Sequence, residues 1–141
     1  MSKVEITIRY AILKKSFDNF GKMENYVKAK VNNGSGTQTE FKTKIMDKGE
    51  KEKPITWNET FTVSLQPNRG AQIEFFVMDE DVTSDDMCGR GWFKCDACSV
   101  FNYGSSQNYN IRLQAEKGNE EMGSLHITTR FVWSWNPLII Q

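Results

Sequence analysis

Apolar side chains recur at every second position from the start of the chain, where Val4, Ile6, Ile8 and Tyr10 alternate with Glu5, Thr7 and Arg9. A period of two places one face of an extended strand in a core and the other in water, which predicts a first strand ending near Leu13. The same alternation, bounded by turn residues, predicts strands over 26–31, 41–45, 57–65, 73–78, 91–94, 109–113 and 123–132. Residues 73–78 are more continuously apolar and read as a central strand. Asn32-Asn33-Gly34-Ser35-Gly36 and Pro67-Asn68-Arg69-Gly70 are turn chemistry, because Asn and Gly tolerate positive φ and Pro presets a bend. Residues 47–53 read as a charged, mobile loop and 96–101 as a helical turn. No stretch of ten residues carries a 3.6 period. The pattern therefore predicts an all-β fold, an eight-stranded antiparallel Greek-key β-sandwich. Successive loops of such a sandwich alternate between its ends, so those spanning 14–25, 46–57 and 79–87 should share one end.

Composition narrows the function classes. A chain of 141 residues fits one domain with a real core. No apolar run approaches the roughly 20 residues that span a bilayer. The start Met-Ser-Lys runs straight into a strand, with no export signal or lipidation motif, which predicts a cytoplasmic chain. Eleven Lys and one Arg face seven acids in residues 1–53, and the remainder is acidic by the same margin, so the formal charge is zero. A neutral total disfavours nucleic acid as partner. Three cysteines without an export signal predict reduced thiols. Cys95-Asp96-Ala97-Cys98 has zinc-ligand spacing, but His126 is the sole histidine and no second ligand pair exists. Without a nucleophile motif or phosphate-cradling loop, the chain reads as a non-enzyme.

Two acidic clusters carry the candidate chemistry. One runs from Phe17 to Val27; the other places Asp79, Glu80, Asp81, Asp85 and Asp86 within eight positions. Like charges about 4 Å apart repel by roughly 4 kcal/mol at an effective dielectric near 20. A cation relieves this, and crowded hard oxygens suit calcium; a solvated acidic turn is the plainer alternative.

The chain resembles a C2 domain, the calcium- and phospholipid-binding β-sandwich. The likeness is carried by Asp18-x-x-Gly21-Lys22-x-Glu24-x-Tyr26-Val27, Lys42-Thr43-Lys44, Trp57-Asn58-Glu59-x-Phe61, Asp79-x-Asp81, Asp85-Asp86-x-x-Gly89 and Gly123-x-Leu125-x-Ile127. The resemblance covers nearly the whole chain and favours the type II permutation. It implies calcium ligands at Asp18, Glu24, Asp79, Asp81 and Asp86. Glu24 stands where the family usually has Asp, and Asn25 where it usually has Pro. The interval from Asp81 to Asp86 looks one residue short, and that from Pro54 to Trp57 one residue long.

The resemblance also implies an electrostatic switch in which neutralised loops engage an anionic phospholipid membrane. Phe20 and Val82 are the candidate loop-tip residues, with Phe17 and Met23 behind them. Lys42 and Lys44, two apart on one strand, form a candidate basic patch facing anionic headgroups. Lys48, Lys51 and Lys53 alternate with acids and read as a solvated loop or as internal neutralisers. Residues 1–132 form the domain and 133–141 an apolar tail, in which Trp133, Trp135, Leu138 and Ile139 are candidate partner-binding residues. Packing of the tail on its own sandwich is the alternative. Two functions follow: a calcium-regulated membrane-binding module, or a structural adaptor with a weak or vestigial calcium site, docked into a larger assembly through its faces and tail.

Overall fold

The structure, a computed structural model, describes residues 2–17, 22–66, 69–95 and 106–134. Nine strands appear: β1 (Ser2–Leu13), β2 (Met23–Asn32), β3 (Gln38–Lys42), β4 (Met46–Gly49), β5 (Ile55–Leu65), β6 (Gln72–Asp79), β7 (Asp86–Lys94), β8 (Ser106–Gln114) and β9 (Glu121–Ser134). All pair antiparallel, in the order β3-β2-β6-β7-β8-β9-β1-β5, with β4 pairing β2 off this path. A single pair, Arg90 with Gln114, links β7 to β8. The path thus divides into two four-stranded layers, β3-β2-β6-β7 and β8-β9-β1-β5. Among the described residues there is no helix, hence none long and apolar enough to cross a membrane.

The alternating residues meet between the layers, except Tyr10, which a register slip after Ile8 turns to the outer face. Val4, Ile6 and Ile8 of β1 and Leu125 and Ile127 of β9 pack with Val27 of β2 and Ile73, Phe75 and Val77 of β6 in one buried cluster. Burying a side chain such as Phe75 contributes about 1.5–3 kcal/mol. Strand β6 pairs with β2 and β7 along its two edges and is buried on both faces, Ile73, Phe75 and Val77 on one and Phe76 and Met78 on the other, as its continuous apolar run predicts. A smaller cluster of Tyr26, Phe76 and Met78, backed by Met87, covers its outer side.

Three elements depart from the sequence reading. Strand β3 stops at Lys42 rather than reaching 45, because Thr43 turns inward: its Oγ1 accepts the Val27 N–H at 2.8 Å, and its own N–H donates to the Val27 carbonyl at 2.9 Å. Residues 46–49 form a strand against β2, with Met23 opposite Gly49 and Asn25 opposite Met46. Strand β7 begins at Asp86, five residues earlier than its apolar content suggests. The helical turn anticipated at 96–101 lies outside the described residues.

The open side of the sandwich is tied at three points. Phe41 of β3 stacks on Phe61 of β5 with centroids 4.5 Å apart, the Lys44 N–H donates to Glu59 Oε2 at 2.8 Å, and Trp57 Nε1 donates across the layers to the Asn25 carbonyl at 3.2 Å. Cys88 and Cys95 are buried, the Cys95 thiol donating to the Phe93 carbonyl at 3.8 Å; Cys98 lies outside the described residues.

Candidate functional site

Register alone brings the acidic residues together. Asp79, the last residue of β6, faces Asn25 on β2 and Asp86 on β7. The Glu24 N–H donates to Asp79 Oδ1 at 2.9 Å, and the Glu80 N–H returns to the Glu24 carbonyl at 2.8 Å. These two bonds lock the β2 and β6 ends, leaving Asp79 only 5% exposed while the Glu24 side chain faces solvent. Asp86 is half-buried beside them. The Cys88 thiol reports both carboxylates: burial, then the charges of Asp79 and Asp86, push its pKa up, so it is a neutral thiol.

The connection between β6 and β7 holds Asp81 and Asp85. The Val82 N–H donates to Asp81 Oδ1 at 2.6 Å, and the Asp81 N–H reaches toward Asp85 Oδ1 at 3.4 Å. Asp85 is engaged from the sheet side, since Tyr26 donates its hydroxyl to Asp85 Oδ2. Burial and this carboxylate push the Tyr26 phenol up to about 12. Asp85 is thereby occupied, whereas Asp86 stands beside Asp79. Val82 is fully exposed at the tip of this loop.

The neighbouring connections reach the same end. The Glu52 N–H bonds the Leu13 carbonyl, and Lys14 lies beside Met122 through its N–H, so the loops after β1, β4, β6 and β8 converge there. Their lysines are largely neutralised within the molecule. Lys22 and Lys53 both pair with Glu50, at 2.8 and 2.7 Å, which holds the Glu50 carboxyl down near 2; Lys14 pairs with Glu121 and Lys15 with Glu120. Internal neutralisation therefore describes Lys53, one of the two alternatives raised for residues 47–53.

Several expectations need correction. Met23 is fully buried in the core and Phe17 packs against it, so neither is a free loop tip. Lys42 ends β3 and Lys44 lies beyond it, so the two do not share a strand. Asp18, Phe20, Trp135, Leu138 and Ile139 lie outside the described residues; Trp133 is on β9, with only its backbone described. Among the described residues, no three His, Cys, Asp or Glu side chains are placed together as a group able to hold a metal ion.

A second feature adjoins the acidic end. On the outer side of the first layer, register aligns Lys42, Lys28, Phe76 and Arg90 across four strands. Lys28 and Lys30 sit over the Phe76 ring at 5.1 and 5.3 Å, and Arg90 over Trp92 at 5.1 Å. Lys28, Lys30, Lys42 and Arg90 make no ion pair among the described residues. A cavity of about 220 Å³ joins this face to the acidic loop, lined by Tyr26, Lys42, Thr43, Ile45, Glu80 and Asp85. The sequence reading found Lys42 but missed Lys28, Lys30 and Arg90. Their signal was the outward half of the alternation in β2 and β7, where charge passes for ordinary solvation.

Comparison with known proteins agrees with this architecture. The sequence pattern of the C2 domain family matches residues 2–113. The first C2 domain of plant Extended Synaptotagmin 1 superposes with a TM-score of 0.75 at 18% identity, covering 96% of this chain and 97% of that one. Human GIVD cytosolic phospholipase A2 gives 0.70 at 21% identity, covering 95% of this chain but 16% of that one. The calcium-bound pair of C2 domains of Extended-Synaptotagmin 2 gives 0.66 at 19%, covering 92% and 45%. No curated protein matches at a significant level.

Proposed function

Because the chain belongs to the C2 domain family, whose members commonly bind calcium and phospholipids, we propose that it is a non-catalytic module that binds calcium through its acidic loops and docks on anionic phospholipid membrane. The observation that carries this reading is the meeting of Glu24, Asp79 and Asp86 at the adjoining ends of three strands. The donor set fits the ion: all are carboxylates, and Asp81 on the exposed loop and Asp18 on the loop after β1 would complete it. Bound calcium would supply positive charge and coordination sites open to lipid phosphate oxygens.

The remaining work falls to the chain itself. The Glu24 N–H holds the Asp79 carboxylate in one orientation, so that position is preorganised. The Tyr26 hydroxyl keeps Asp85 turned toward the sheet. Val82, fully exposed, is the apolar group able to enter the interface once the loop charge is neutralised. Lys42, Lys28 and Arg90 lie beside the acidic end and would hold headgroup phosphates, each cation near such a surface contributing about 1 kcal/mol.

Calorimetric titration with calcium, with and without vesicles containing anionic lipid, tests the reading. Binding in the micromolar range that tightens with vesicles is expected, together with its loss in the double variant Asp79→Asn, Asp81→Asn. Unchanged binding in that variant would sink the ligand assignment, and no binding at millimolar calcium would sink the calcium reading.

One observation favours the adaptor reading as an addition. Strand β9 runs to Ser134 beside Ser2, at the end of the sandwich away from the acidic loops. A partner held by the tail beyond it would leave those loops free.

A further inference from the structure

The two layers end in edge strands of opposite character. Strand β3 has five residues, carries Glu40 and Lys42, and is cut short by Thr43, the usual devices that keep an edge from pairing. Strand β5 has eleven residues, no lysine and no internal proline, and no strand pairs its outer side among the described residues. Its irregular part is confined to the start, where Asn58 adopts φ +51° and the register with β1 slips. From Glu59 to Leu65 it pairs with β1 without a break. Within that segment the single charge is Glu59, which already accepts the Lys44 N–H. What remains is a regular seven-residue edge whose one charge, Glu59, stands at its first residue.

We propose that this edge pairs antiparallel with β5 of a second copy of the chain, about a two-fold axis through Thr62. Residues 59–65 are centred on Thr62, so this register uses the whole regular segment and excludes the bulge at Asn58. It sets Phe61 against Val63 of the second copy on the core side and Thr60 against Ser64 on the outer side. No charge meets a like charge, and the contact is self-complementary, as a two-fold interface must be.

The outer surface favours the same occupant. Thr60 shares a 2.7 Å hydrogen bond with Thr7, Thr7 lies opposite Thr128, and the Thr128 hydroxyl donates to Asn108 at 2.6 Å. This row of small hydroxyl and amide groups crosses the layer and ends at the edge on Thr60. Ser64 of a second copy continues it in kind. Two four-stranded layers then become one eight-stranded sheet.

The pairing has a geometric consequence that rests on the proposed function. Strand β5 runs away from the acidic end, so antiparallel copies carry their acidic loops at opposite poles. Such a dimer would hold two anionic membranes at once rather than bind one membrane twice.

Sedimentation velocity of the full chain without calcium, over about 1 to 100 µM where weak pairings dissociate, tests the proposal. A concentration-dependent dimer is expected. Thr62→Cys should cross-link it under disulfide exchange, while Thr56→Cys, on the same face but outside the paired segment, should not; both variants keep the native cysteines as a common background. Thr62→Lys, which sets like charges opposite one another, should weaken the dimer by about tenfold or more without lowering the melting temperature. A monomer throughout, a dimer that Thr62→Cys leaves unlinked, or one that Thr62→Lys leaves intact would overturn it. Neither calcium nor lipid enters this test, so its failure and that of the membrane reading are separately visible.

Discussion

His126 lies half-buried on the outer face of the second layer, its ring stacked on Tyr10 at 4.2 Å and its Nε2 2.9 Å from Ser124 Oγ. Burial, and then the Arg9 guanidinium, which lies 5.5 Å from the Tyr10 ring centroid, hold its imidazole below the ordinary value near 6.5. A histidine with a lowered folded pKa takes its proton more readily in the unfolded chain. Stability is therefore complete above about pH 6.5 and declines as pH falls through the window below it. His126→Phe preserves the stacking area and removes the titration. The fall in melting temperature between about pH 7 and 5.5 should be shallower in that variant than in the parent, and identical slopes would place the titrating group elsewhere. The sequence shows this histidine as one outward residue of an alternating strand; its stacking partner, 116 positions away, emerges only from the register of β1 with β9. The same limit applied to the carboxylates. Their crowding was legible in the sequence, but nothing in the spacing says that Tyr26 occupies Asp85.

Strands were legible where alternation supplies apolar groups to one face, as in β1, β5 and β9. Strand β4 was not, because Met46-Asp47-Lys48-Gly49 gives the interior a glycine alone, and hydrophobic periodicity has nothing to register. What makes it a strand is contact with Asn25. That side chain is fully buried, donates to the Met78 carbonyl at 3.0 Å and presents its Oδ1 toward Gly49, where an added Cβ would lie 2.2 Å away. Strand β4 is thus fitted to the buried Asn25 amide. Gly49→Ala must separate β4 from β2 or displace the Asn25 amide. A loss of about 1–3 kcal/mol is expected in denaturant unfolding, the range for overpacking a tight contact. Asn25 follows Glu24, so on the proposed reading the variant should also weaken calcium binding; an alanine that leaves both stability and calcium titration unchanged would show that β4 does not brace the acidic end. The first half of β7 escaped detection for a related reason, since Asp86-Met87-Cys88-Gly89 begins with a carboxylate and ends with a glycine pressed against Leu113.

At the scale of the molecule, the positions of the two ends separate the possible roles. The acidic loops gather where β6 ends and β7 begins, while the last described residue, Ser134, faces Ser2 on β1, and Ser2 faces Leu65 on β5. Strand β1 separates these poles by twelve residues, about 40 Å at the rise of an extended chain. Everything that pairs β9 into the second layer precedes residue 135, so removing 135–141 deletes Trp135, Leu138 and Ile139 without breaking a described strand pair. If those residues serve a partner, the truncated chain should keep its melting temperature to within about 2 °C, since a surface loss of a few tenths of a kcal/mol shifts a domain of this size no further. Calcium and vesicle binding at the opposite pole should also persist. The apparent native mass of the tagged protein in cell extract should fall to that of the free chain or its dimer. A melting temperature lowered by about 10 °C, which corresponds to losing several kcal/mol of packing, would assign the tail to the sandwich itself. In that case its tryptophan and three aliphatic residues serve the core rather than an assembly, and the second pole of the molecule has no docking peptide.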